Sequence, residues 1–450
     1  MHAAVLEYLQ QHEFADAHKA FAAKLDSNAA TSYKYSDNEG ALERRWNTLR
    51  RLNKRNLEMD GQIKQLQDAL AIAQDPTKRG SGGGRKAALL PTEPAVATFS
   101  GHSDTLTAVA LHPSDSLCLS ASEDGTVRVW DVESRQHIKT LRNHTENVTC
   151  LAFGPAGRWF ATASNDMTVK LYETQSPFNC IHTLFGHEDA VGCLAWVGDA
   201  DGTLVTASRD GEVKVWDAKR ASLKQTFRAS AWMRTLYAVP NGNGMLVMGG
   251  SDELVTVYKN ILSSGGIKEE GSTTMVNAHT NNITCAAFSH FEADKVLVEH
   301  YGTPQQKEEM KKIAKDRLGG GDEKKQMEIE ANEEEWLLNT VKYQPQFVAS
   351  GGRDKNIFIY NLAQGGQMTM SLNQHQNWIR CVAFTASGKH LISCADDGLL
   401  IVFDLVAKRM LRQITAHEHF VTCISLHPTN KPFMVTGSAD KKLKVWRCSQ

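Results

Sequence analysis

The strongest constraint on this chain is that it repeats itself. Residues 186–217 read GHEDAVGCLAWVGDADGTLVTASRDGEVKVWD: a Gly-His pair, an alternating segment, a turn at Arg209-Asp210-Gly211 and a Trp216-Asp217 end. Related openings stand at His102, His144, His279, His375 and His417. The aromatic residues that close the copies are Trp130, Tyr172, Trp216, Tyr258, Tyr360, Phe403 and Trp446, spaced by 42, 44, 42, 102, 43 and 43 residues. Five gaps agree, and the sixth is one period plus roughly 59 extra residues. Seven copies of a strand-rich unit of ~40–45 residues predict an all-β, seven-bladed β-propeller over 95–450.

Each copy needs its neighbours, because a four-stranded sheet with two apolar faces cannot bury both alone. The segments TVRVW, TVKLY, EVKVW, LVTVY, NIFIY and KLKVW alternate apolar with polar residues and are rich in β-branched side chains. These units resemble WD repeats over about 350 of the 450 residues. In WD-repeat proteins the His, a Ser two before the turn Asp, that Asp and the Trp form a buried hydrogen-bonded chain. The resemblance implies three complete sets here: His102/Ser122/Asp124/Trp130, His187/Ser208/Asp210/Trp216 and His417/Ser438/Asp440/Trp446. The copy ending at Tyr258 has Ser230 for the His and Gly250 for the Ser, so it is expected to form the loosest blade.

The ring should close by joining its ends. A short strand precedes most of the His positions, yet no room for one remains after Trp446, since the chain stops at Gln450. The matching piece, AVATF at 95–99, lies ahead of the first copy and is expected to complete the last blade.

Net charge is −1 and the pI near 7, so no global field favours nucleic acid or an anionic membrane. No apolar run reaches membrane-spanning length, and residues 1–21 are too polar for a signal peptide. Cys150, Cys193, Cys285, Cys381 and Cys423 share one repeat position, which points to core packing in a reduced, cytosolic setting rather than to a metal site.

Ahead of the repeats, residues 1–30 carry Val5, Leu6, Leu9 and then Phe14, Ala17 and Phe21 at helical spacing. The pattern resembles a LisH motif, a small dimerising helical hairpin, with Tyr8, Leu9, Phe14 and Phe21 at its interface; a helix pair docked on the propeller is the other reading. Residues 39–74 read as a parallel coiled coil, with Leu42, Leu49, Asn56, Ile63 and Leu70 at a, and Leu52, Met59, Leu66 and Ala73 among the d positions. Asn56 at a would fix register and favour two strands. Residues 75–94, with their glycines and prolines, read as a flexible linker. The extra residues, about 291–345, are dense in Lys and Glu and predict a surface excursion, partly helical and partly disordered, that is either a partner site or an inert loop.

No catalytic constellation emerges: the repeated His, Ser and Asp recur around the ring, which argues for structure, and no cofactor or metal site is expected. The informative residues break the repeat on the face of the His loops and Asp turns. Where ordinary copies read DTLTA or ENVTC, two read AWMRT and NWIRC, giving Trp232/Arg234 and Trp378/Arg380, and the last has His419 and Phe420. Arg209 and Arg353 precede the turn Asp in two copies, where they should neighbour Trp232/Arg234 and Trp378/Arg380 respectively. Exposed Trp with Arg is the composition of an interface hot spot; the alternative is that both Trp side chains merely plug the rim.

The whole order, LisH-like motif, coiled coil and seven repeats with an insertion in the fifth, resembles the lissencephaly-type (NudF) dynein regulators, most closely in NWIRCVAFTASGKHLISCADDGLLIVFD and AHEHFVTCISLHPTNKPFMVTGSADKKLKVW. The resemblance implies a non-catalytic homodimer that binds the cytoplasmic dynein heavy chain motor domain through the propeller face. It also implies binding to a NudE-type coiled-coil adaptor and indirect association with microtubules, in microtubule-based transport, nuclear positioning and spindle function. The implied location is the cytoplasm and cytoskeleton, at microtubule plus ends and at the centrosome or spindle pole. Arg209, Arg234, Arg353, Trp378 and Arg380 match that family's motor-contacting residues; Gly398 stands where a basic residue is common. A substrate receptor of a ubiquitin ligase or a corepressor scaffold is the alternative from another class.

Overall fold

The computed structural model describes residues 90–198, 202–229, 231–239, 244–259, 273–275, 279–317, 344–427 and 433–449. The motif at 1–30, the coiled coil at 39–74, linker residues 75–89 and every dimerisation residue named above lie outside the described residues.

The described residues form seven four-stranded antiparallel sheets. Blade one runs outward through Leu106–Leu111, Leu117–Ser122, Val127–Asp131 and Gln136–Leu141. Blades two to six cover 148–184, 191–228, 233–275, 283–372 and 379–415, and blade seven covers 421–449. Inner strands touch in cyclic order, and that of blade seven returns to that of blade one. The alternating pattern of each strand sends apolar side chains into both seams. Leu119, Val127, Val129 and Leu141 of blade one, for example, pack on Val148, Leu151, Phe160 and Tyr172 of blade two. Every seam is thus a sheet-on-sheet core, and no blade has a solvated face to spare.

Closure happens as expected, with a longer strand. Leu90–Ser100 pairs antiparallel with Lys442–Ser449 and becomes the outer strand of blade seven. It starts at Leu90, five residues inside the span read as linker: Leu90, Pro91 and Thr92 pair with Ser449, Cys448 and Arg447 before the register shifts. Pro91 and Pro94 suggested a tether, but an outermost strand tolerates proline because its outward N–H needs no partner. Leu90 is anchored by burial beside Trp446, Cys448 and Ile414.

The buried hydrogen-bonded chain exists, but its hydroxyl sits four residues before the turn Asp, not two. Ser120 Oγ accepts from Trp130 Nε1 at 2.8 Å and bonds His102 Nε2 at 2.8 Å, while His102 Nδ1 reaches Asp124 Oδ2 at 2.9 Å. Because a carboxylate only accepts, Nδ1 carries the proton and Nε2 accepts from the hydroxyl. Thr162, Thr206, Ser350, Ser393 and Thr436 take the same place under His144, His187, His279, His375 and His417. Ser122 instead ties the turn, donating to Asp104 O and accepting from Asp124 N. Ser208 does the same with Asp189 O and Asp210 N, and Ser438 accepts from Asp440 N. Blade four has Met248, buried, at the hydroxyl position. Its outer strand is only Thr273–Met275.

The insertion opens as a helical hairpin built into the core, not as an excursion. Helix α1 (Phe291–Tyr301) begins where His290 caps Ala293 N, and helix α2 (Pro304–Arg317) follows. Ala293, Leu297, Val298 and Met310 share one cluster with Phe347 of blade five and with Leu391, Phe403 and Leu405 of blade six. The fully buried Asp294 carboxylate is satisfied by Ser289 Oγ and, at 2.8 Å, by Gln346 N. Residues 318–343 lie outside the described residues. All nine cysteines are free. Cys193, Cys285 and Cys423 sit in the core clusters, and burial pushes the Cys423 thiol up to about 12.

Candidate functional site

The site is built on a defect that every blade shares. Each inner strand skips one residue in its pairing, and the skipped residues are Thr107, Thr149, Gly192, Arg234, Thr284, Arg380 and Thr422. A bulge frees a side chain from the ladder and re-aims it. Four blades use it as a bolt: Thr107, Thr149, Thr284 and Thr422 donate to Val148 O, Val191 O, Ile379 O and Leu106 O of the next blade. Blades four and six put Arg234 and Arg380 there instead. Blade three has Gly192, and a Cβ on it would come within 3.4 Å of Trp232 Nε1, so its bareness makes room for that indole.

A second ring position is the residue before the turn Asp. Its N–H is tied back to the loop ahead of its own inner strand: Arg209 N to Ala190 O, Ser251 N to Trp232 O, Arg353 N to Asn282 O and Asp396 N to Trp378 O. Arg209 and Arg353 stand over small or polar loop residues of their own blade and reach across the seam. The Arg209 guanidinium lies 4.5 Å and that of Arg234 3.9 Å from the Trp232 ring centroid. One seam pair further round, Arg353 lies 4.3 Å and Arg380 5.6 Å from the Trp378 ring. Two Arg–Trp–Arg stacks therefore share one end of the ring, with Trp378 37% exposed. The neighbour relations read from the repeat alignment hold for all six residues.

The electrostatics are those of crowded like charge. Burial, then Arg353, Arg209 and Arg380 in that order, bring the Arg234 pKa down to about 10. Among the described residues Arg380 alone of the four has a counter-ion: its Nε and Nη2 donate to Asp396 Oδ1 and Oδ2 at 2.7 and 2.6 Å. Asp396 was not singled out from the sequence, although it falls in the same alignment column as Arg209 and Arg353. Trp232 Nε1, Arg234 Nε and Arg353 Nε are buried and have no hydrogen-bond partner among the described residues. His419 and Phe420 form a pair of their own on blade seven, with ring centroids 4.3 Å apart. Among the described residues no ring or ion contact joins them to the arginines. Gly398 is the left-handed turn position of blade six (φ 77°), where a side chain is strained.

Each of the six repeat histidines spends both ring nitrogens on a hydroxyl and a carboxylate, leaving none to serve as a base. Among the described residues no group of His, Cys, Asp or Glu could hold a metal ion, and no helix is long and apolar enough to cross a membrane.

Comparison with known proteins agrees with this architecture. The family "WD domain, G-beta repeat" matches residues 94–131, 135–173, 178–217, 366–404 and 408–447. The two unmatched copies are blade four, with its Met248, and blade five, with its insertion. The nuclear distribution protein nudF of Emericella nidulans is 30% identical over 446 residues, covering 94% of this chain and 87% of that protein. The chain belongs to the nudF family of nuclear distribution proteins. The nudF of Aspergillus niger is 28% identical, with 91% of this chain and 88% of that protein covered. The nuclear distribution protein PAC1 of Arthroderma benhamiae is likewise 28% identical, with 95% and 87% covered. Membership in the nudF family and the WD-repeat propeller together point to a non-enzymatic scaffold.

Proposed function

We propose that this protein is a non-catalytic regulator of the cytoplasmic dynein motor. It binds the heavy chain motor domain through the Arg–Trp end of the propeller and so supports nuclear migration. The observation that carries this reading is the pair of Arg–Trp–Arg stacks, with three buried donors that find no partner among the described residues. A surface of fixed aromatic rings and desolvated guanidinium groups is built for an acidic, grooved protein partner, where a few such anchors carry most of the energy. The names of the relatives speak of nuclear distribution, and the likeness of the whole chain to the dynein regulators supplies the motor.

The 1–30 motif and the 39–74 coiled coil hold two chains together. Two propellers on one rod, each on its own linker, raise avidity for the motor without any new contact. A NudE-type adaptor is the second partner, and association with microtubules, spindle poles and plus ends is indirect, through the motor. By holding one motor conformation more tightly than another, the propeller shifts the motor's cycle.

The test is binding to a purified motor domain. Arg209→Ala with Arg353→Ala should weaken it by at least ~2 kcal/mol, about 30-fold in Kd, while leaving the melting temperature of the propeller in place. Unchanged affinity would sink the assignment of this face.

A further inference from the structure

Blades four and six are built alike but balanced differently. In blade six the bulged Arg380 meets Asp396, held beside it by the 2.9 Å bond from Asp396 N to Trp378 O. In blade four the bulge carries Arg234, and the position equivalent to Asp396 is Ser251, held by the 3.1 Å bond from Ser251 N to Trp232 O. The Ser251 hydroxyl, 3.4 Å from Trp232 O, brings no charge. Arg234 therefore faces the charges of Arg353 and Arg209 and makes no ion pair among the described residues. Among the described residues the Arg380–Asp396 contact is the only ion pair that any of the four arginines makes. Such a concentration of positive charge in a partly desolvated place is unfavourable until an anion joins it.

We propose that the space between Arg234, Ser251 and the guanidinium groups of Arg209 and Arg353 is a binding site for a phosphate-class oxyanion, which supplies to blade four the counter-charge that Asp396 supplies to blade six. A planar carboxylate is consumed by one guanidinium, as the two-point Arg380–Asp396 contact shows. A tetrahedral dianion has acceptor directions for donors arriving from separate elements. Here the donors come from the turn of blade three, the bulge of blade four and the turn of blade five. Arg234 Nε and Arg353 Nε are buried N–H groups without a partner among the described residues, and such a ligand would bring acceptors to their guanidinium groups. The inference stands on this geometry and not on the identity of the protein partner.

The experiment is thermal unfolding and titration calorimetry of the full-length protein with inorganic phosphate and with pyrophosphate, each against sodium chloride at matched ionic strength. The melting temperature should rise by at least about 2 °C with phosphate or pyrophosphate and not with chloride. The rise and the binding heat should vanish in Arg234→Gln and in Ser251→Asp. Ser251→Asp installs the missing carboxylate, so it should also melt above the wild type in the absence of phosphate, which shows it folded. An equal rise with chloride, no rise at all, or a full response retained in Ser251→Asp would overturn the proposal. If the first ligand that binds is pyrophosphate and not phosphate, the site spans more than one phosphate group and the assignment of class stands.

Discussion

At the scale of single residues, the propeller turns on which hydroxyl lies under each imidazole. Ser120 and Ser122 are two apart on one strand and point to the same face, so the repeat pattern alone cannot choose between them. The structure chooses Ser120, because only it lies within reach of both the Trp130 indole and the His102 ring. Ser120→Ala leaves a buried indole N–H and a buried imidazole nitrogen unpaired and should cost about 2–4 kcal/mol. Ser122→Ala loosens one turn and should cost about 1 kcal/mol. Urea denaturation of the two variants checks this, and equal or reversed losses would contradict it. The same network sets the response to acid. Burial lowers the pKa of His102, His144 and His187 against the pull of their Asp partners. In Asp124, Asp166, Asp210, Asp354, Asp397 and Asp440, burial is outweighed by hydrogen bonds that hold the carboxyl below its usual range. In both sets the unfolded chain binds protons that the folded chain refuses, so stability is full above pH 6.5. It falls as the histidines of the unfolded chain charge, and falls again as pH drops below 4 toward the depressed carboxyl values. The urea midpoint should be lower at pH 5 than at pH 8; a higher one would reverse the sign.

At the scale of elements, seven blades and the closing strand were legible because period and alternation are long-range regularities that sterics enforce. The four extra residues of closing strand before Pro94 were hidden by prolines that an outermost strand accepts. The hairpin α1–α2 was hidden by its charged outer face, although Ala293, Leu297 and Val298 already mark an inward side. Gly388 shows how close that packing is: it adopts φ 70°, and a Cβ there would lie 2.2 Å from Ala293 N. The site was legible where it broke the repeat, in Arg209, Trp232, Arg234, Arg353, Trp378 and Arg380. Asp396 was not found because a carboxylate near turn aspartates looks ordinary until its partner is seen. The seam strand gives the prediction at this scale. A chain starting at Gly101 exposes the unpaired edge of Lys442–Ser449 and should melt lower and aggregate. If it melts like the intact propeller, the closing strand is dispensable and the account of closure is wrong.

At the scale of the whole molecule, closure makes the ring stiff and stiffness makes the Arg–Trp end a surface of fixed geometry. Four blades lock their neighbours through bulge threonines; of the three that give up that bolt, blade three carries glycine, and blades four and six carry arginine. The protein trades two inter-blade hydrogen bonds for two charged anchors on one end, which makes sense only if that end binds something. We propose that what it binds is the dynein motor domain. The most direct measurement is the affinity of the purified full-length chain for a dynein motor domain, with the triple variant Arg209→Ala, Arg234→Ala and Arg353→Ala beside it and light scattering on both. The account predicts tight binding by the wild type and its loss in a triple variant of unchanged size and folding. Binding that survives the triple variant, or a folded dimer that does not bind the motor at all, would contradict it.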